Sequence, residues 1–337
     1  MVTHNHAELA PRALAAARAA AAGIATEWLV IDCGSSDGTP AVVAQGNPDA
    51  HVLVGENVGF AAASNRALAL ARGRYILLLN PDAIVVEGDF ANLLALLDAR
   101  PEIGLASVIQ RAPDGPLHHS IRHYPSARRA LGEALGIWRW APLAGWREEE
   151  TRPSAYCGLR SVDWVVGAFL IARAEAVRAV GRLDERFFLY SEEIDWCYRF
   201  RRGGWHVCHL PGMTVIHHVG FEPRPELLAQ LSYAKLLFAR KHYRPARALA
   251  IHAALVLRHS LRALASALAG VRSRGWRARG SAELHALSVL LALAPPPFAA
   301  TRPTPARELN VPPATPGGCA PRACGTRDAR ACGQSRC

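Results

Sequence analysis

Arg74-Tyr75-Ile76-Leu77-Leu78-Leu79-Asn80-Pro81-Asp82 is the stretch around which the chain is organised. Residues 76–79 form an unbroken apolar run, the pattern of a strand buried on both faces of a parallel sheet. Pro81 has no N–H to donate to a ladder, so the strand ends before it. Asn80 and Asp82 then fall at the carboxyl edge of a central strand, where open α/β sheets bind their ligands. A carboxylate at that edge is a hard oxygen ligand suited to Mg²⁺ or Mn²⁺. Taken alone, Asn-Pro-Asp reads first as a strand-ending turn; its neighbours decide the matter.

Towards the start, Val2-Thr3-His4-Asn5 reads as the end of a strand running into a polar loop, and residues 13–22 as an alanine-rich helix. Leu29-Val30-Ile31-Asp32 is a second apolar run closed by a carboxylate, followed by the turn Cys33-Gly34-Ser35-Ser36-Asp37-Gly38-Thr39. Residues 52–54 give a third strand. Glu56-Asn57-Val58-Gly59-Phe60 then leads into a helix carrying Asn65 and Arg66. The alternation of strands and helices predicts an α/β fold with a parallel sheet and right-handed crossovers. Asp32, Asp37, Asn57 and Asp82 would meet along one sheet edge.

In the second half, residues 90–99 read as a helix and 103–108 as a strand. Residues 111–160 have no clear period and read as a loop-rich insert forming part of an acceptor site. The three carboxylates Glu148, Glu149 and Glu150 within it read as a solvated face. Residues 162–171 are the strongest apolar strand here, with Gly167 and Ala168 small enough for a ligand to approach the backbone. Trp164 either lies against a sugar ring or fills the core. Leu183-Asp184-Glu185-Arg186-Phe187-Phe188-Leu189-Tyr190-Ser191-Glu192-Glu193-Ile194-Asp195 follows, with helical character over 194–202 ended by Gly203-Gly204. Glu192, Glu193 and Asp195 thus sit at a helix start, where the dipole stabilises carboxylates; the same pattern also serves simple capping.

These segments, in this order, resemble family 2 glycosyltransferases of the GT-A fold, particularly the rhamnosyltransferase-like members that build bacterial surface polysaccharides. The resemblance implies an inverting transfer of a sugar from a nucleotide-sugar donor, dTDP-rhamnose among the options, to a glycan or lipid-linked acceptor. It implies donor-binding roles for Thr3, Asn5, Asp32, Asp37, Asn57, Gly59, Asn65, Asn80, Trp164 and Gly167. It makes Asp82 a metal ligand, with His217 of the pair His217-His218 beside it, and Mg²⁺ or Mn²⁺ the cofactor. It makes Glu193 the first choice for general base, then Asp195, then Glu192. A non-catalytic nucleotide- or glycan-binding module and a sugar nucleotidyltransferase are the rival readings. Members of the family begin with about four more apolar residues, so only a short remnant of a central first strand is expected here, pointing to a misassigned start or a truncated gene.

Charge divides the chain unevenly. Residues 1–240 carry 24 Lys+Arg against 25 Asp+Glu, and residues 241–337 carry 15 against 3, so the net +11 resides in the last part. A basic extension predicts an anionic partner, and the lack of zinc-finger spacing or aromatic-interleaved basic motifs favours a membrane surface over nucleic acid. Residues 248–257 are uncharged but too few to span a bilayer. Leu257, Leu261, Leu264 and Leu268 share one helix face with Arg258, His259 and Arg262 off it, fitting either a helix lying among lipid headgroups or a cap on the body. The organisation expected is a catalytic domain over 1–220, a basic helical extension over 221–294, and a disordered tail over 295–337. Cys33, Cys157, Cys197 and Cys208 read as reduced core thiols, and Cys319, Cys324, Cys332 and Cys337 lack zinc-site spacing. With no apolar leader evident, a cytoplasmic body peripheral to the inner membrane face is expected.

Overall fold

The computed structural model describes residues 1–139, 145–218, 224–270, 274–298 and 307–309. Its elements in order are β1 (Val2–Thr3), α1 (Leu9–Ala20), β2 (Trp28–Cys33), α2 (Thr39–Gly46), β3 (Ala50–Gly55), α3 (Phe60–Leu70), β4 (Tyr75–Leu79), β5 (Ala83–Glu87), α4 (Phe90–Asp98) and β6 (Ile103–Arg111). β7 (Ile121–Arg122), α5 (Ala127–Leu135), β8 (Arg160–Ser161), β9 (Trp164–Val165), β10 (Phe169–Arg173), α6 (Ala174–Val180), α7 (Glu192–Arg202) and β11 (His206–His217) follow. Three helices, α8 (Pro225–His242), α9 (Pro245–Gly270) and α10 (Arg274–Leu290), and the short β12 (Arg307–Glu308) complete them. The expected tail beyond 309, with its four cysteines, and Arg272 lie outside the described residues.

The first half folds as its alternation dictates. β1, β2 and β3 pair in parallel, with Val2 opposite Ile31 and Trp28 opposite Ala50. β4 ends at Leu79, one residue before Asn80-Pro81. It does not join β1, however. It is the edge of a second, mixed sheet of order β4-β10-β6-β11-β5, in which only β6 and β11 run parallel. The single parallel sheet of the sequence reading is therefore two sheets. The physical reason is the brevity of β1, whose two residues cannot hold a ladder to both neighbours. For the same reason Tyr75, Ile76 and Leu77 are only half-buried, whereas Leu78 and Leu79 are buried.

Residues 162–171 are not one strand. β9 pairs with β7 and β10 with β4, and the turn between them carries Gly167. Within the insert, α5 is capped by Ser126, whose Oγ accepts the Arg129 N–H. Its carboxylates are not a solvated face. Glu148 is 4% and Glu150 6% exposed, and Glu148 accepts from Lys235 Nζ at 2.6 Å while Glu150 is clamped by Arg152. Cys33, Cys197 and Cys208 are buried free thiols, but Cys157 is exposed.

The three final helices cap the body. On α8, Phe238 is fully buried against Tyr124 and Tyr198. Arg258 of α9 pairs with Glu133 of α5 at 2.9 Å, and buried His259 bridges Glu283 of α10 and Ser232 of α8. α9 runs 26 residues and is long and apolar enough to cross a membrane by length and composition. Those pairings instead hold its charged side against the body. They leave Leu249, Leu257, Leu264 and Leu268 exposed on a common outer face.

Candidate active site

β4 delivers the Asn80-Pro81-Asp82 turn to the sheet edge. The Asn80 N–H donates to Ala168 O at 2.9 Å, which ties that turn to the Gly167-Ala168 loop, and the Asp82 carbonyl accepts from the His218 N–H. The end of β11 thereby sets His217 beside Asp82, Nε2 to Oδ1 3.5 Å. His217 is 8% exposed, and both His217 Nδ1 and Asp82 Oδ1 are buried with no hydrogen-bond partner among the described residues. Such orphaned atoms are costly unless something else binds them. An imidazole nitrogen and a carboxylate oxygen form a donor set that Mn²⁺ or Mg²⁺ accepts, with further positions left for phosphate oxygens and water. No group of three or more His, Cys, Asp or Glu that could hold a metal occurs among the described residues.

Sequence reasoning missed the neighbours of this pair, all in or beside the insert. The His118 ring lies 5.6 Å from that of His217, and burial lowers its pKa to about 4, so it is neutral at pH 7. Its Nδ1 faces Gln110 Oε1 at 3.3 Å, and Gln110 Nε2 donates to Val166 O at 3.0 Å. The legible signal was the short run after Asp114-Gly115, a turn dipeptide of the kind that returns a strand.

From Val166 the backbone leads to Gly167 and the acidic helix. A Cβ on Gly167 would stand 3.6 Å from Glu193 Cβ, an ordinary contact, so the Gly167 backbone runs directly alongside the Glu193 stem. α7 starts after two left-handed non-glycine residues, Tyr190 (φ 69°) and Ser191 (φ 65°), a costly conformation that sets the direction of its first turn. Ser191 provides no side-chain cap. Glu192 and Glu193 each have a buried, unpartnered Oε2. Burial raises the Glu193 pKa to about 7, against the opposing pull of nearby backbone N–H groups and the Arg122 guanidinium. Burial and the adjacent Glu193 charge push Glu192 well above the carboxylate range. One carboxyl is thus poised near neutrality, the condition a general base needs, beside another whose charged form burial also disfavours.

Asp195 is not part of this pair. It faces the opposite side of α7, fully buried, and binds Arg199 (2.8 Å), Lys241 (2.5 Å) and His242 (2.6 Å). Burial pushes its pKa up, but those hydrogen bonds and charges outweigh it and hold the carboxyl below its ordinary value. A carboxylate enclosed by Arg199, Lys241 and His242 is taken up in holding the fold. It pins α7 to α8.

The donor-side residues divide likewise. Asp32 is fully buried: Oδ1 accepts the Ser35 N–H, and Oδ2 accepts the hydroxyls of Thr3 (2.8 Å) and Ser35 (2.5 Å). It builds the loop and does not present its oxygens to a ligand, because the Thr3 and Ser35 side chains enclose them. Asn5, at φ 59°, accepts the Ser36 N–H, and exposed Asp37 accepts from Thr39 and the Ala7 N–H. The Thr39 hydroxyl contributes most to a pKa near 2 for Asp37. Asn57 is exposed and its Oδ1 accepts the Gly59 N–H. At Gly59 (φ 86°) any Cβ would lie 2.4 Å from Phe188 O, while the Phe60 N–H donates to that oxygen. The glycine thus lets this loop dock on the segment leading to α7. Asn65 and Trp164 are corrections. Asn65 exchanges hydrogen bonds with the Leu183 backbone, and Trp164, 5% exposed, donates Nε1–H to His123 O. Both are core pins with no free face for a sugar.

The fold, with an Asp–His pair and a near-neutral glutamate at one sheet edge, is consistent with a nucleotide-sugar glycosyltransferase of the GT-A type, and the comparisons bear this class out. A solved mannosyltransferase from Pyrobaculum calidifontis has the same fold (TM-score 0.52, 17% identity, covering 87% of this chain and 84% of that one). Residues 1–141 match Glycosyl transferase family 2. The N-acetylglucosaminyl-diphospho-decaprenol L-rhamnosyltransferase of Mycobacterium tuberculosis is 31% identical over 262 residues, 69% of this chain and 84% of that protein. Rhamnosyltransferase WbbL of Escherichia coli is 24% identical over 174 residues, 49% of this chain and 63% of that one. The chain belongs to glycosyltransferase family 2.

Proposed function

We propose that this glycosyltransferase carries out a metal-assisted, inverting transfer of rhamnose from a nucleotide diphosphate donor such as dTDP-rhamnose to a lipid-linked glycan acceptor. The observation that carries the reading is Glu193: a half-buried residue whose Oε2 is buried and unpartnered, with a pKa of about 7, beside the Gly167 loop that is tied to the Asp82 and His217 turn. Similarity to the mycobacterial rhamnosyltransferase supports the donor and an acceptor of the N-acetylglucosaminyl-diphospho-polyprenol kind.

Asp82 and His217 would hold the Mg²⁺ or Mn²⁺. A divalent cation bound there neutralises the charge that builds on the leaving diphosphate. The loop at Asn57 and Gly59, with Thr3, Asn5 and Asp37, shapes the edge where the nucleotide lies, and orientation there supplies much of the rate. Glu193 accepts the proton of the attacking acceptor hydroxyl as the hydroxyl oxygen bonds to the anomeric carbon on the face opposite the leaving group. Burial disfavours a second negative charge on the adjacent Glu192.

The same reading places the body in the cytoplasm against the inner membrane face, where a lipid-linked acceptor is found. The exposed leucines of α9 support this, as does the absence of any Asp or Glu from residues 241–282. Each Arg near an anionic leaflet adds about 1 kcal/mol at best. Purified protein given dTDP-rhamnose and N-acetylglucosaminyl-diphospho-polyprenol should place rhamnose in the lipid fraction with inverted anomeric configuration. Retained configuration, or no transfer to any lipid-linked glycan, would overturn the reading.

A further inference from the structure

The insert brings one more side chain to the Asp82–His217 pair. Arg111 and Leu117 bridge across the turn at Asp114-Gly115, and the hairpin returns His118 to Gln110 twice. The His118 N–H donates to Gln110 O at 2.9 Å, and its ring Nδ1 faces Gln110 Oε1 at 3.3 Å. Gln110 is fully buried on β6, opposite Val215 of β11, two residues before His217. The half-buried His118 ring therefore lies 5.6 Å from the His217 ring, tilted 54° to it.

The hydrogen bonds around Gln110 fix which nitrogen of His118 carries the proton. Val166 O can only accept, so the Gln110 group 3.0 Å from it is the amide NH₂, which also reaches Ser107 Oγ at 3.3 Å. That turns Oε1, an acceptor, towards His118, and Nδ1 is the protonated nitrogen. In the neutral ring Nε2 then keeps its lone pair, and it has no hydrogen-bond partner among the described residues. A lone pair repels the oxygens of a diphosphate and accepts only from a polarised O–H or N–H. Beside Asp82 and His217 the donor that fits is a water on a divalent cation, because Mg²⁺ dehydrates reluctantly and keeps several waters. Distance agrees with an indirect role. Asp82, His217 and His118 do not form a three-ligand metal group, and a nitrogen that accepts from a metal-bound water stands roughly 4 Å from the cation, about twice a direct bond.

We propose that His118 is a positioning residue for the cation: its Nε2 accepts a hydrogen bond from a water bound to the Mg²⁺ or Mn²⁺ held by Asp82 and His217, and Gln110 fixes the tautomer that makes it an acceptor. The inference rests on the reading of Asp82 and His217 as the ligands. It sorts the coordination positions. The one facing the insert is kept for water, and the diphosphate oxygens take those turned away from the His118 lone pair. Partners of this indirect kind are worth about 10- to 100-fold in metal affinity. Gln110 carries the link further, because the amide that orients His118 also holds Val166 O, one residue before the Gly167 backbone that runs beside Glu193.

Mn²⁺ binding to the purified chain without donor, followed by the EPR signal of the free ion, tests this. His118→Phe should weaken binding about 10- to 100-fold, and His118→Gln, whose amide oxygen can take the place of Nε2, should stay within about threefold of wild type. His217→Ala should abolish binding. Pulsed EPR of bound Mn²⁺ should show the nitrogen of one imidazole in wild type and the same in His118→Phe. In the wild-type chain, where no substitution disturbs folding, nitrogen NMR of the histidine rings should show His118 as the Nδ1–H tautomer, with its Nε2 resonance moving when Mg²⁺ is added. Equal affinity in His118→Phe and wild type, an Nε2–H tautomer, or loss of an imidazole nitrogen from the Mn²⁺ signal in His118→Phe would overturn the role of His118 and leave the Asp82–His217 pair standing. Mn²⁺ binding that survives His217→Ala, or none to wild type, would overturn the pair and this inference with it.

Discussion

Replacing Glu193 by glutamine separates the chemistry of this site from its architecture. Glutamine matches glutamate in shape, so the Gly167 wall and the start of α7 are undisturbed, but it cannot accept a proton. General-base catalysis contributes about 10²- to 10⁴-fold, so kcat should fall by roughly 10³, near 4 kcal/mol in the barrier, with donor affinity within about twofold of wild type. The same substitution has a signature in stability. The folded-state pKa of Glu193 is raised, from 4.5 to about 7. The folded protein therefore binds this proton more tightly than the unfolded chain does, and stability is lost as pH rises from about 4.5 to about 7. The full cost is on the order of 3 kcal/mol. Glu193→Gln should remove that slope, leaving the variant about 5 °C higher in Tm than wild type at pH 8 and nearly equal to it at pH 4.5. Thermal unfolding across pH, with radiolabelled sugar transfer on the same samples, reads both effects. Turnover comparable to wild type would refute the base assignment, and an unchanged pH slope would refute the burial argument.

The remaining variants probe the neighbouring groups. For wild type, kcat should rise with pH through about 7 as Glu193 ionises, and a flat profile from pH 6 to 8 would contradict this. Asp82→Asn and His217→Ala should each abolish Mn²⁺ stimulation of donor turnover while Tm stays within a few degrees, and retained metal response would exclude the pair as ligands. Asp195→Asn should act on the fold, weakening the charged hydrogen bonds from Arg199, Lys241 and His242 while Lys241 keeps Asp184, at a cost of about 1.5–3 kcal/mol read by urea unfolding. Gly59→Ala should raise donor KM at least several-fold, because its methyl would meet Phe188 O. Leu264→Glu with Leu268→Glu should abolish co-flotation with vesicles containing anionic lipid and leave transfer to a short soluble acceptor intact; unchanged flotation would remove α9 from the membrane reading.

The catalytic edge was legible wherever one local signal fixed the backbone. Pro81 ended β4 where expected, and the acidic run fell at the start of α7 with Gly203 at its end. What the sequence could not show was which way each polar side chain turned. Glu193 and Asp195 are two positions apart on one helix, and only the packing of α8, which brings Lys241 and His242 to Asp195, separates the proposed base from a structural anchor. Asn65 and Trp164 failed for the same reason: their partners, the Leu183 backbone and His123 O, lie 118 and 41 residues away. Glu148 looked solvated because its cation, Lys235, comes from α8. The split of the sheet was not visible in the strand–helix alternation, because β4 takes its ladder from β10, some ninety residues further along the chain.

Donor cleavage by the purified protein tests the central claim most directly. A panel of UDP-, dTDP- and GDP-sugars would be incubated with the wild-type chain and with Glu193→Gln, each with Mn²⁺, with Mg²⁺ and with excess chelator. The account predicts metal-dependent release of one nucleotide diphosphate, dTDP foremost, that chelator abolishes and Glu193→Gln slows by about 10³-fold in the presence of acceptor. Folded protein that releases no nucleotide from any donor, or releases it equally in chelator and in the glutamine variant, would contradict it.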